Sequence, residues 1–311
     1  MSVRKRSFEE ARVGCEDIYG SSDRNAASAP ALSSGEPAVT NPALYPPTAG
    51  RHPSAVPPRD RAPTRASVPE VHNQLLAALT PSEFARLRPH LTRVQLVRGQ
   101  TLHESDECIE HAYFIETGLV STAAMVDEPG EGAEARRMIE VGMVGPEGLV
   151  GLPALLHPRA ISYERSFVQI EGVALRIPSP ALRAAAQSMP VLERRLLDAL
   201  QVAAAETAQI AACNTRHAVL GRLATRLLMA HDRADGNELP LTHEVLAVML
   251  GVQRSGVTVA IGALEQVGLI RRSRSRIAVA DRAGLEAASC GCYARVRAFA
   301  ARVGRRVAVT D

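Results

Sequence analysis

The chain has 311 residues, 46% of them hydrophobic, which is room for two domains and a tail, and no run of about 18 apolar residues to span a bilayer. Its formal charge of +3 hides an asymmetry: Asn214 to Asp311 holds 15 arginines against 8 acidic residues, a balance of +7 that leaves −4 for the rest. Only the C-terminal third has the excess expected of a polyanion binder, no secretory signal is evident, and five dispersed cysteines favour a reduced, cytoplasmic protein.

Residues 1–68 are rich in Pro, Ala, Ser and Arg and show no sustained apolar period, so they are expected to form a disordered extension. Helical signals begin near Val71. Asn73 to Leu79 is a short amphipathic run, and Thr80-Pro81 supplies a cap and a first-turn proline for a second helix over Ser82 to Leu91.

From Thr92 the period changes to that of strands. Short apolar runs lie at Val94–Leu96, Ala112–Ile115, Val120–Ala123, Met138–Val141, Val168–Ile170 and Val173–Ile177, with glycines 99, 118, 130 and 132 among them. Short strands at this spacing predict an all-β barrel or roll, with Glu128–Ala133 as an exposed hairpin tip. Glycines 142, 145, 148 and 151 precede a short apolar helix expected over Leu149 to Leu156. Two readings stand for this stretch. Its amides could cradle an anion with Arg165 and Ser166 as partners, or the glycines are tight turns between strands.

Pro178-Ser-Pro180 ends the sheet region. An apolar seam then runs through Met189, Leu192, Leu196, Leu200, Ala203, Thr207 and Ile210. Its spacing of three and four suits a helix pairing with a copy of itself; the other reading packs it on its own β-domain. Another helix follows over Ala218 to His231, and then a loop at Asp232–Leu239.

The stretch Leu241 to Arg276 is the most informative. Thr242 can cap a first helix carrying Leu246 and Leu250, and Gly251 supplies a left-handed turn. Val257, Ala260, Ile261 and Leu264 form the inner stripe of a second helix, leaving Arg254, Ser255, Thr258 and Gly262 outside. That is the pattern of a helix-turn-helix whose second helix enters the major groove; an ordinary helical hairpin is the alternative. The arginines that follow, Arg271, Arg272, Arg274 and Arg276, sit between two short apolar runs, as in a cationic wing that lies along phosphates.

Together these pieces resemble the Crp/Fnr superfamily of bacterial transcription regulators. The likeness runs from about Val71 to Val303 and is strongest in GRLATRLLMAHDR (Gly221–Arg233) and ELPLTHEVLAVMLGVQRSGVTVAIGALEQVGLI (Glu238–Ile270). VGPEGLVGLPALL (Val144–Leu156) looks like that of a subgroup whose effector is generally not established. The resemblance implies an α+β chain. A β-roll of the cyclic-nucleotide-binding type, jelly-roll-like, would occupy 69–187 and a dimerisation helix 188–214. A winged helix-turn-helix would fill 215–303, with a tail at 304–311. It implies double-stranded DNA, a second copy of the chain and RNA polymerase as partners, and no membrane and no enzymatic activity.

Carried over residue by residue, the family's DNA contacts fall on Thr242, Gln253, Arg254, Ser255, Thr258, Val259 and the four wing arginines. Ser255 stands where the family often has glutamate, and Val259 where the catabolite-activator type has arginine, so the preferred operator is expected to differ. Methyl groups of Thr258 and Val259 could meet thymine. A cyclic-nucleotide cofactor would use Gly145, Glu147, Gly148, Arg165, Ser166 and Thr207. Pro146 and the long interval to Arg165 depart from that cassette, and Ala208 replaces its serine. Cys15 and Cys108 do not make the family's iron–sulfur cluster. Cys290-Gly-Cys292 is half a zinc site, with Cys213 the one other candidate nearby, so no metal is expected.

Overall fold

The computed structural model describes residues 71–126 and 137–307. The extension expected over 1–68 and the hairpin tip at Glu128–Ala133 lie outside the described residues.

Two short helices open the fold. Asn73 caps α1 (Gln74–Ala77) by accepting the amides of Leu75 and Leu76. Thr80 caps α2 (Pro81–Leu87) in a capping box with Glu83, the first-turn proline in place. The helix expected to reach Leu91 instead tightens into a 3-10 turn at Arg88–His90, where Pro89 has no amide to continue the α-helix.

The sheet region is entirely antiparallel. β1 (Thr92–Leu96), β6 (Arg165–Pro178), β3 (His111–Val126) and β4 (Arg137–Val144) lie in the order β1-β6-β3-β4. β2 (Thr101–His103) pairs with β6, and β5 (Leu149–Val150) with β3. Runs expected as separate strands on either side of Gly118 and Gly172 are continuous in β3 and β6. The two glycines make bulges instead of breaks. A Cβ on Gly172 would stand 2.1 Å from the Thr117 carbonyl oxygen, and one on Gly118, at φ +89°, 2.6 Å from that of Ile170. Only bare backbone fits, and the register shifts there let two long strands bend. The helix expected over Leu149 to Leu156 is also replaced. β5 leads through left-handed Gly151 into a 3-10 turn at Leu152–Leu155.

α3 (Ser179–Ser188) and the 27-residue α4 (Pro190–Arg216) follow. Leu192 and Leu196 of α4 are wholly buried in one core with Leu76, Leu149, Ile177 and Leu182. The Thr207 hydroxyl donates to the Val141 carbonyl at 3.0 Å. The seam assigned to self-pairing therefore packs on its own β-domain, because its large residues are what cover that sheet. The face left outside carries Leu197, Gln201, Ala204, Ala208 and Ala211, all exposed.

The remainder is α5 (Val219–His231), β7 (Glu238–Leu239), α6 (His243–Leu250), α7 (Arg254–Gln266), β8 (Ile270–Ser273), β9 (Arg276–Val279), α8 (Arg282–Ala288) and α9 (Cys292–Val307). The loop expected to run to Leu239 ends early: Glu238 and Leu239 pair with Ala278 and Ile277, making a three-stranded sheet. A core of Leu223, Leu227, Leu246, Val257, Ile261, Leu264 and Leu285 holds this unit, and Leu119 and Met143 of the β-roll belong to it.

The joint between roll and C-terminal unit also contains charge. Arg226 of α5 faces Glu140 of β4 at 3.3 Å and donates to its carbonyl at 3.2 Å. Ser121 donates to the other Glu140 oxygen at 2.8 Å. Burial pushes the Glu140 carboxyl up to about 7, against the pull of Arg226. Nearby, Arg233 reaches Glu147 of the roll at 2.6 Å and Glu206 of α4 at 3.0 Å. Burial opposes its charge, but the two carboxylates outweigh burial and hold the guanidinium protonated. Among the described residues no single helix is long and apolar enough to cross a membrane. Cys213, Cys290 and Cys292 are free thiols.

Candidate DNA-binding interface

Thr242 begins the site. Its hydroxyl oxygen accepts the Val245 amide at 3.2 Å, which starts α6 cleanly after a short extended segment. The helix stops at Gly251, whose φ of +58° is left-handed and costs glycine little. A side chain there would also press on Ile139 of the roll at 3.2 Å. After Val252 and Gln253 the chain enters α7, and the two helices meet at 105°, within the range for a helix-turn-helix.

α7 has two clear faces. Val257, Ala260, Ile261 and Leu264 are buried, as their spacing of three and four requires. Gln253, Arg254, Ser255, Thr258 and Val259 are exposed. Val259 is 74% exposed, a β-branched apolar residue facing outward beside polar neighbours. No packing among the described residues explains it.

Two contacts organise the outer face. Arg254 makes an ion pair with Glu244 at 3.0 Å, its own side chain 68% exposed. The Glu244 carboxyl is held below the usual range by hydrogen bonding to its own backbone amide and by Arg254 beside it. The Thr258 hydroxyl lies 3.0 Å from His243 Nδ1 and also 3.0 Å from the Arg254 carbonyl. Glu244 and His243 thus brace the outward residues from the first helix. A separation of ten residues between Glu244 and Arg254 carries no local signal for this.

The wing is a tight hairpin. Ser273 pairs with Arg276, so Arg274 and Ser275 form the turn, Ser275 at φ +64°. Arg271, Arg272, Arg274 and Arg276 are all exposed. Arg272 is tied back to Glu265 of α7 at 3.2 Å, and Arg276 to Glu238 at 3.2 Å. Arg274 stands at the hairpin tip, and Arg271 on β8, the edge strand of the sheet.

Residues 221–288 match the Crp-like helix-turn-helix domain. The C-terminal unit is therefore a Crp-like helix-turn-helix domain. The fold of the chain is similar to that of FixK2 from Bradyrhizobium japonicum, at 18% identity over 64% of this chain and 98% of that one, TM-score 0.54. It is likewise similar to TTHA1359, a CRP/FNR-family regulator from Thermus thermophilus (22% identity, 64% and 98% covered, TM-score 0.51). A third likeness is to CLP, a c-di-GMP responsive global regulator from Xanthomonas campestris (16% identity, 64% and 99% covered, TM-score 0.51). No curated protein matches the sequence of this chain.

The residues assigned to a cyclic nucleotide are not gathered into one pocket by their contacts. The Gly145 amide donates to Glu147 at 3.2 Å, and Gly148 to the Gly145 carbonyl at 3.0 Å, so the chain's own groups take these amides. Glu147 is paired with Arg233. Arg165 pairs with Glu104 at 3.3 Å and donates to Thr101 at 2.8 Å, while Ser166 is buried opposite Thr122 and His103. Thr207 is bound to Val141.

A different cavity lies close by. It encloses about 400 Å³ between Met143 and Glu147 of the roll, Arg195, Asp198 and Glu206 of α4, and Val303 of α9. Arg195 Nε, Asp198 Oδ2 and Glu206 Oε1 are buried without a hydrogen-bond partner. Polar atoms left this way are costly unless something meets them. The cavity is not legible in sequence because its walls come from five separated segments, Gln74 and Leu75, Met143 to Leu152, Arg195 to Glu206, Arg233, and Ala300 to Gly304.

Proposed function

We propose that the chain is a transcription regulator of the Crp/Fnr type, two copies of which bind one near-palindromic stretch of duplex in the cytoplasm, each placing α7 in a major groove and its wing on the adjacent phosphate backbone. The reading rests on one observation above all: the outward face of α7, where exposed Val259 stands among Ser255, Thr258 and braced Arg254. Base edges in the major groove offer both hydrogen-bonding groups and the thymine methyl, and this face offers a match for each. Thr242 and Gln253 would contact phosphate at the helix start, where backbone amides face outward. Arg271 and Arg274 would fix register without reading sequence. Copies would meet along the alanine-rich outer face of α4, close approach being what Ala204, Ala208 and Ala211 permit. From there the regulator would act on RNA polymerase.

Selection of bound duplexes from a random library tests this directly. A two-fold symmetric motif with half-sites about one helical turn apart is the expected product. Arg254→Ala should reduce discrimination between that motif and random duplex by about 1–3 kcal/mol. An equal loss on both would place Arg254 on the backbone instead.

A second reading concerns control. The cavity at the roll, α4 and α9 supports an effector that governs DNA binding, as the c-di-GMP responsive relative suggests by analogy. With Arg195 and Arg233 opposed by Glu147, Asp198 and Glu206, the lining suits a ligand bearing both donors and a positive or neutral centre better than a bare phosphodiester. Calorimetry of the whole chain against cyclic mononucleotides, cyclic dinucleotides and zwitterionic metabolites would separate these classes.

A further inference from the structure

Four side chains with metal-binding atoms converge where α4 ends and α9 begins. Cys213 lies in the last turn of α4, and His217, four residues on, is the residue that stops that helix. Cys290 and Cys292 flank Gly291 at the entry to α9. One ligand atom from each lies within 4.8 Å of all the others. Cys213 Sγ is 3.3 Å from Cys290 Sγ, and Cys292 Sγ is 3.4 Å from His217 Nδ1.

These separations suit a single ion. Arms of about 2.3 Å to sulfur and 2.0–2.1 Å to nitrogen give tetrahedral edges of roughly 3.5–3.8 Å. Small shifts from the observed positions reach that figure.

Polar side chains surround the sulfurs. Gln209 Nε2 donates to Cys292 Sγ at 3.1 Å, and the Thr225 hydroxyl lies 3.1 Å from Cys290 Sγ. Partners of this kind orient metal-bound sulfurs and spread their charge. The Arg222 guanidinium is near enough to Cys213 and Cys290 for their charges to interact. Three thiolates and a neutral imidazole on a dication carry one net negative charge, which Arg222 offsets. Cys213 and Cys292 are each 6% exposed, while His217 is exposed and leaves a route in from solvent.

We propose that Cys213, His217, Cys290 and Cys292 form a structural Zn2+ site that fastens the last helix to the end of the long one. The donor set is complete, three soft sulfurs and one imidazole, with no coordination position left for a substrate. The Cys290 amide also donates to the Gly221 carbonyl at 3.3 Å, so the same clamp seats the start of α5. Sequence inspection finds the two thiols of 290 and 292 but not His217, which follows Cys213 by one helical turn and is separated from Cys290 by more than seventy residues.

The test uses the full chain, stripped of metal under reducing conditions and then loaded with Zn2+ or Co2+. Mass spectrometry of the metal should find about one zinc per chain after desalting. The cobalt form should show thiolate-to-metal charge transfer and tetrahedral d–d bands. His217→Ala, at an exposed position, should keep the fold and lower zinc affinity at least tenfold, about the least that losing even an outer partner costs. His217→Cys should restore it. The double substitution Cys290→Ser and Cys292→Ser should bind no zinc, and chelator should lower Tm only in chains that hold the ion. Zinc absent from the reloaded parent chain, with silent cobalt spectra, would overturn the proposal. So would iron with cluster absorbance, or a Cys213–Cys290 disulfide that persists in reductant.

Discussion

Arg226 of the winged-helix unit and Glu140 of the β-roll face each other at 3.3 Å, both with side chains at most 4% exposed. A pair so far from water contributes less by attraction than it costs to break, since either partner left alone is a buried charge. At pH 8, where the carboxyl is ionised, Arg226→Met should destabilise the protein by about 3 kcal/mol in urea unfolding. The double substitution Arg226→Met with Glu140→Met should recover much of that loss. A double variant as unstable as the single one would mean that the pair itself, and not the orphaned charge, sets the cost.

The same carboxyl sets a pH dependence. Its folded pKa of about 7 exceeds the ordinary 4.5 because burial disfavours the charge. The folded chain therefore binds the proton more tightly than the unfolded one, and stability falls where the two differ. Its contribution is full below pH 4.5 and is lost as pH rises through about 7. Glu140→Gln should flatten the fall in unfolding free energy between about pH 5 and 8. An unchanged profile would assign it to other groups.

Arg271 and Arg274 extend from the wing without the ion pairs that restrain Arg272 and Arg276. Alanine at either should weaken binding to specific and random duplex alike and reduce the slope of log affinity against log salt by about one. Thr258→Ala and Val259→Ala should leave that slope alone and change which half-site is selected. A wing substitution that shifts the selected motif would place that arginine in a groove.

On the outer face of α4, a carboxylate in place of Ala208 would oppose its own copy across a two-fold axis. Ala208→Glu should give monomers in sedimentation velocity with unchanged helix content and much weaker operator binding. Dimers that persist would locate the contact elsewhere.

Legibility in the sequence follows the length scale of the signal. The helix-turn-helix is readable because Leu246, Gly251, Val257 and Leu264 lie within twenty residues and obey one period. The long helix is only half readable. Leu192 and Leu196 are its strongest apolar signal and so suggest a second copy, whereas the chain's own sheet claims them and leaves the weaker alanine face free. Gly118 and Gly172 look like strand ends because a bulge and a break use the same residue. Glu244 with Arg254, Arg226 with Glu140 and Cys213 with Cys290 depend on which elements become neighbours, and no local pattern records that.

Arg233 is a wall of the 400 Å³ cavity and also the cation shared by Glu147 and Glu206. A ligand that brought charge into that space would compete for the guanidinium that ties the helix-turn-helix unit to the roll. The exchange is thermodynamically reciprocal. Operator DNA that draws the unit into a new orientation must alter the cavity's affinity by the factor with which the ligand alters the operator's. On the proposed function, titrating the cavity in the presence of DNA would measure that control without a gene.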